Sequence, residues 1–463
     1  YFVQGKFWTI FSLLFGMGFA VMLTRVERAG RDFLWPYLRR IGALAVFGAA
    51  HYIFLWDGDI LFSYAVGAGA LLILLYAKWK HILLALVPLA GVGFVPGLGP
   101  VWGIAGALVF IGLNSLYLRG ERRINLRGVS LPLFSFILQL LGGVGLIAAV
   151  VLWSLSDGPK EPRVPLTAVS VGMLVFGVLA AKFHDPVELR ELRLGVAIYV
   201  FASLMMTIVG TVQYLTPNVS PAAAADHKAQ NAAAERAERL AKRQEEKRSE
   251  ALILSQGSYL EAVEWRAGKF PLKVARDAGF AVILVAMFLL GVWFVRSGVI
   301  ENAQAHLALF ERLVLYGIPI GIGLGLLGSF IAVSSTPGDD HDGFMAARAL
   351  AMLGNLPACL GYVGMAILML HSNSAFAKIR VLVPFGRMAL TNYLTQSVIC
   401  SLYFYGYGLG HWGMARTWQV AFVAVVLALQ IVFSHWWLAR YRFGPLEWLW
   451  RGFTYRETPV MRR

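Results

Sequence analysis

Long apolar runs, each broken by a few polar residues, glycines or prolines, repeat from one end of the chain to the other. They cover residues 7–23, 41–56, 60–77, 81–95, 101–118, 131–155, 166–181 and 194–215. After a polar interval they resume at 278–295, 313–333, 346–370, 381–405 and 417–438. A helix of about 20 apolar residues crosses a ~30 Å hydrocarbon core. In lipid such runs are helices, because every backbone polar group must find its partner within the segment. The pattern predicts an all-α, polytopic transmembrane helix bundle of about thirteen spans. Residues 1–215 form an N-terminal bundle, 216–277 an extracytoplasmic charged helical hairpin, and 278–463 a C-terminal bundle with a cytoplasmic tail.

Charge gives this bundle a direction. Arginines and lysines gather in alternate loops: Arg25, Arg28, Arg31, Arg39 and Arg40; Lys78 and Lys80; Arg119, Arg122, Arg123 and Arg127; Arg190 and Arg193; and the tail from Arg440 to Arg463. The intervening short loops, 57–59, 96–100 and 334–343, carry almost none. The positive-inside rule makes the basic set cytoplasmic, with Tyr1 outside and the C-terminus inside. The net charge of +15 is absorbed by this asymmetry, and with no strip of alternating basic and aromatic residues, nucleic acid is not an expected partner. Cys359 and Cys400 fall inside apolar runs and read as packed free thiols. Because the chain opens at Tyr1 almost directly into an apolar run, a preceding segment, one more helix, is expected.

The polar interval reads as a hairpin of two helices. Ser220-Pro221 begins an alanine-rich helix supported by pairs such as Glu238–Lys242 at i,i+4 spacing. Gly257 ends it, and Ser258 with Glu261 forms a capping box for a second, shorter helix. Such a hairpin serves either as a cap over an extracytoplasmic site or as a solvated spacer. Residues 443–451 read as an interfacial helix on the cytoplasmic face. Gly317, Gly321 and Gly325, and likewise Gly16 and Gly18, mark close helix crossings.

Three stretches resemble one family: residues 11–20 (FSLLFGMGFA) with the basic loop behind them, residues 51–61 (HYIFLWDGDIL), and residues 386–397 (GRMALTNYLTQS) running on to 444–451 (GPLEWLWR). Together they are similar to the YeiB-type bacterial membrane proteins of domain-of-unknown-function family 418. The resemblance implies a protein of the bacterial cytoplasmic (inner) membrane. It also implies a distant similarity to membrane acyltransferases of the heparan-glucosaminide acetyltransferase type, which take an acyl group from acyl-CoA on the cytoplasmic side and pass it to a sugar on the other. The histidine those enzymes use lies just after a first helix and maps onto no residue of this chain.

The candidate chemistry sits at both faces. His51, inside the outer end of its run, precedes Asp57 and Asp59. A histidine oriented by a carboxylate is a general base suited to acyl transfer, so His51 and Asp59 are the candidate catalytic residues. Intramembrane ionisable groups are costly, which favours a functional role; the alternative is a histidine bonded between helices. Asp57, Asp339 and His341 are candidate acceptor-side residues. The acidic loop around Asp339 matches no metal-ligand spacing. At the inner face, Arg387, Thr391, Asn392 and Gln396 fall at i,i+4 spacings as a polar stripe into the bundle. They are either a donor-binding set for a phosphate-bearing acyl-CoA or a hydrogen-bond network between helices. Two further function classes remain: a transporter or lipid-handling protein without covalent chemistry, and an assembly factor working through the hairpin. The partners expected are the bilayer, an acyl donor and a sugar-like or lipid acceptor.

Overall fold

A computed structural model describes residues 5–30, 32–93, 101–126, 128–155, 163–215, 227–333 and 343–463. Its helices are α1 (Lys6–Arg28), α2 (Leu34–Ala50), α3 (Leu61–Tyr76), α4 (Trp79–Gly93), α5 (Val101–Arg119), α6 (Leu133–Ser154), α7 (Arg163–Lys182) and α8 (Arg190–Leu215). They continue with α9 (His227–Gln256), α10 (Tyr259–Arg296), α11 (Leu307–Arg312), α12 (Ile318–Val333), α13 (Phe344–His371), α14 (Val383–Arg387), α15 (Ala389–Phe404), α16 (Arg416–Arg440) and α17 (Pro445–Tyr455). Among the described residues nine helical segments are long and apolar enough to cross a membrane, and α3, α4 and α7 are shorter apolar helices. With α15 added, every apolar run read from the sequence falls on a helix. The chain is a multi-pass, all-α membrane protein. One short antiparallel hairpin, β1 (Arg123–Leu126) and β2 (Val129–Pro132), turns the loop before α6.

The centre of the bundle is α10. From Leu284 to Leu290 every side chain is essentially inaccessible, as expected of a helix apolar on all sides and surrounded by others. It packs against α1, α3, α5 and α8. The α1 crossing depends on two glycines. A Cβ on Gly16 would overlap the Phe288 backbone, and one on Gly291 would overlap the Leu13 carbonyl, whereas Gly18 faces open space and takes no part. A second tight crossing joins α12 to α13, where Gly321 lies against Gly354 and Ala358.

The hairpin differs from expectation in one respect. Gly257 does follow α9, and Ser258 and Glu261 form the expected capping box. The second arm, however, does not stop short of the membrane run. It continues into it as one helix of 38 residues, with Pro271 inside. The Ser220-Pro221 start lies outside the described residues. The Glu238–Lys242 pair forms at 2.8 Å on the exposed surface of α9. The tail helix α17 is docked rather than lying free: Trp450 stacks under Arg40 at 4.2 Å, and its indole N–H donates to the Arg40 carbonyl.

Replacing Gly291 by leucine should therefore prise α1 from α10. Overpacking a filled interior costs about 1–3 kcal/mol, and the thermal midpoint of the purified chain in detergent should fall. Gly18→Ala, in open space, should leave it unchanged.

Candidate functional site

The last turn of α2 widens into a π-helical turn, His51–Leu55, closed by a hydrogen bond from the Trp56 N–H to the His51 carbonyl. Such turns recur where a helix must re-aim a side chain. The chain then doubles back through residues 56–60 into α3. Gly48, one turn before His51, makes the reversal possible, because a Cβ there would overlap the Phe62 backbone. This packing sets Asp59 at the start of α3, where its carboxylate accepts the N–H groups of Leu61 (3.1 Å) and Phe62 (2.8 Å). A helix N-terminus favours negative charge.

His51 and Asp59, expected to act together, are in contact: Nδ1 lies 2.8 Å from Oδ1, with both side chains fully buried. The opposite nitrogen, Nε2, is 2.7 Å from Oγ of Ser397 on α15. All of the carboxylate's partners are donors, so Nδ1 carries the imidazole hydrogen. In the neutral imidazole Nε2 is then an acceptor, and the single Ser397 hydroxyl hydrogen goes to it at 2.7 Å rather than to the more distant Tyr393 carbonyl at 3.3 Å. The result is a linear Ser397–His51–Asp59 relay. One turn further along α15, Ser401 donates to the carbonyls of Leu55 and Ser397 (3.2 and 2.6 Å), a second tie between α15 and the π turn.

Ser397 lines a cavity of about 690 Å³. Its other walls are Trp56, Tyr393, Gln396, Cys400, Ser401, Phe404, Tyr405, Trp412, Gly413, Gln419 and Val423. Cys400 is a free thiol, as is the buried Cys359. Over the end of the π turn lie α9 and the start of α10. The Tyr259 hydroxyl donates to the Phe54 carbonyl (3.0 Å), Arg266 Nε to that of Ile53 (2.9 Å), and the Gly406 N–H to that of Leu254 (2.9 Å). On α9 the Glu250 carboxyl is pushed above its ordinary range, chiefly by burial and then by the nearby charge of Asp57. The charged hairpin thus packs on the π turn and on Gly406, although no described residue of α9 or α10 lines the cavity. Asp57 is half-buried in the turn, while Asp339 and His341 lie outside the described residues.

The inner-face set has a different fate. The helix breaks at Met388, between α14 and α15, so Arg387 and Thr391 do not share a helical face. Arg387, expected to be buried, is exposed and donates to the Arg442 carbonyl (3.1 Å). The Thr391 N–H and hydroxyl both donate to Glu447 on α17 (3.0 and 2.5 Å). Asn392 donates to the Phe385 carbonyl and to Ser434, and Gln396 donates to Gln430. These residues pin α15 to α16 and α17. Gln396 also lines the cavity; Arg387, Thr391 and Asn392 do not.

Ser397 escaped the sequence reading, although it closes the GRMALTNYLTQS stretch. It stands 346 residues from His51, and no spacing rule joins positions so far apart. The available signal is a second polar stripe at i,i+4, Tyr393–Ser397–Ser401, beside that of Asn392 and Gln396.

Residues 294–457 match the family described as "Protein of unknown function (DUF418)", a region that holds Ser397 but neither His51 nor Asp59. Over 98% of its length the chain is similar to the uncharacterized protein YxaH of Bacillus subtilis (strain 168), at 25% identity and across 80% of that protein. It is 33% identical to the uncharacterized protein YeiB of Escherichia coli (strain K12) over 40% of this chain and 47% of that one. No solved structure matches.

The packing role of the Thr391 network is testable. Glu447→Ala removes the acceptor of two Thr391 donors, and a buried donor left unsatisfied costs about 1–3 kcal/mol. Trypsin should then cleave faster at Arg451 and Arg456, while Gly386→Ala, at an exposed position with open space around it, should leave the tail as resistant as before.

Proposed function

We propose that this chain, which belongs through residues 294–457 to the DUF418 family and is of the YeiB type, is a membrane-embedded acyltransferase with Ser397 as its nucleophile. The observation that carries this reading is the bridging position of His51, bonded to Asp59 on one side and to Ser397 on the other. A serine hydroxyl is a weak nucleophile until a neighbouring base takes its proton, and the base works best when a third group fixes its tautomer.

In the first step Oγ of Ser397 attacks the carbonyl carbon of an acyl ester or thioester while Nε2 of His51 takes the hydroxyl proton. The tetrahedral adduct collapses, the donor's alkoxide or thiolate leaves, and it takes that proton from His51. The acyl group now sits on Ser397. An acceptor hydroxyl or amine attacks it, His51 takes the acceptor's proton, and the proton returns to Oγ as the acyl product departs. Asp59 stays a carboxylate throughout and holds Nδ1–H in place.

The positive-inside distribution supports a reading in which the end of the bundle bearing Asp57, α9 and the site faces outward from the cytoplasmic membrane. A polar acceptor arrives from that end, past Trp56, Tyr405 and Trp412. Aromatic faces beside the Gln396 and Gln419 amides suit a hydroxylated, sugar-like molecule.

A fluorophosphonate should label the purified chain on Ser397, located by mass spectrometry of the modified peptide. Ser397→Ala should abolish labelling and His51→Ala should slow it by about three orders of magnitude or more, the scale on which relay members act together. Labelling that proceeds at the original rate in His51→Ala, or that falls on another serine, would contradict the assignment.

A further inference from the structure

The cavity beside Ser397 has an unusual wall. On its far side stands α16, whose buried residues form one narrow stripe, Val426, Gln430, Ser434 and Leu438. Much of its remaining surface is apolar and exposed: Val420 at 70%, Val425 at 59% and Leu429 at 64%. In a membrane those faces meet lipid. Yet Val423, 58% exposed, also lines the cavity. It lies seven residues into a helix that begins at Arg416, which is about 10 Å of helix rise. At Val423 the cavity wall therefore reaches the exposed apolar surface of α16.

The two helices flanking the cavity here are held apart in a definite way. Toward the tail end, Gln396 and Asn392 on α15 bond to Gln430 and Ser434 on α16. Toward the other end, Tyr403 stacks on Phe422 at 4.3 Å. Between these two ties the cavity forms a slot lined by Ser397 and Cys400 on α15 and by Val423 on α16. The volume of about 690 Å³ falls within the 300–1,000 Å³ typical of small-molecule sites.

We propose that this slot takes the acyl chain of a bilayer lipid, so that the acyl donor is a membrane-resident lipid ester arriving laterally between α15 and α16. The inference rests on the serine acyl-transfer reading and names its donor class. Two observations support it over a water-soluble thioester. Of the four residues expected to hold a donor phosphate, Arg387, Thr391 and Asn392 are occupied in packing or turned to the surface and do not line the cavity, and Gln396, which does, is uncharged and bonded to Gln430. Val423, which lines the cavity, belongs to the exposed apolar surface of α16 with Val420, Val425 and Leu429. The lipid's ester carbonyl reaches Ser397, its chain lies in the slot, and the lysolipid leaves into the bilayer carrying the proton from His51.

The test uses the full chain in vesicles of phosphatidylethanolamine and phosphatidylglycerol, with a trace of phosphatidylethanolamine bearing a diazirine-tagged acyl chain. On illumination, crosslinks should concentrate on the peptides holding Cys400 and Val423, in the wild type and in Ser397→Ala alike. Val423→Trp, which fills the mouth, should lower that capture by about tenfold, a 1.4 kcal/mol effect. Val420→Trp, on the same helix but outside the lining, should leave it unchanged. Crosslinks spread evenly over the outer face of α16 and indifferent to Val423→Trp overturn the slot, as does loss of capture on adding a water-soluble acyl thioester. Fluorophosphonate labelling of the same samples separates the two claims. Labelled Ser397 without slot capture overturns the lipid donor alone. Slot capture without labelling overturns the serine nucleophile and leaves a lipid-binding slot.

Discussion

A carboxylate taken out of water into an apolar bundle is stable only when donors replace its hydration. Asp59 is such a group, and much of the site is arranged around satisfying it. Its partners come from two places in the chain: the first N–H groups of α3 and the ring of His51 at the end of α2. Supplying both at once requires the tight reversal between those helices, and the reversal requires glycine at position 48. Once Nδ1 of His51 is committed to Asp59, Nε2 needs a donor of its own, and Ser397 supplies it from α15. Packing and chemistry thus share one chain of hydrogen bonds.

The same reasoning explains why α10 is so long. Lys273 reaches the Asp59 carbonyl (3.0 Å) and Ser63 (3.2 Å), and it pairs with Asp277 at 2.9 Å. Arg266 meets the carbonyls of the π turn, which a widened last turn leaves without helical partners. A helix that ended at Asp277 and restarted at Ala278 would not hold these cations rigidly over the turn. A single helix through both sections ties the charged cap, the site and the apolar centre of the bundle into one body. Pro271 does not interrupt it, although proline inside a helix removes one hydrogen bond.

The spans were legible because an apolar run of that length has few other options in lipid, so among the described residues each predicted run is helical, the run 381–405 being divided at Met388. The His51–Asp59 pair was legible because the two are eight positions apart, within one helix end and one turn. What failed had a local cause in each case. Arg387 was given a place in a continuous helix over 381–405, and the break at Met388 rotates it away from Thr391. The second arm of the hairpin was ended before the membrane because charged and apolar stretches look like different elements, whereas the backbone continues unchanged through both. Ser397 depends on helices distant in sequence meeting in space, and hydropathy carries no information about which helices meet.

The central claim is the direction of the hydrogen-bond chain through His51, and solid-state nitrogen NMR of the imidazole in the lipid-embedded protein reads it most directly. The account predicts a protonated Nδ1 and a bare, hydrogen-bonded Nε2, with the Nε2 resonance shifting when Ser397 is replaced by alanine. A protonated Nε2 with a bare Nδ1, unaffected by Ser397→Ala, would contradict it.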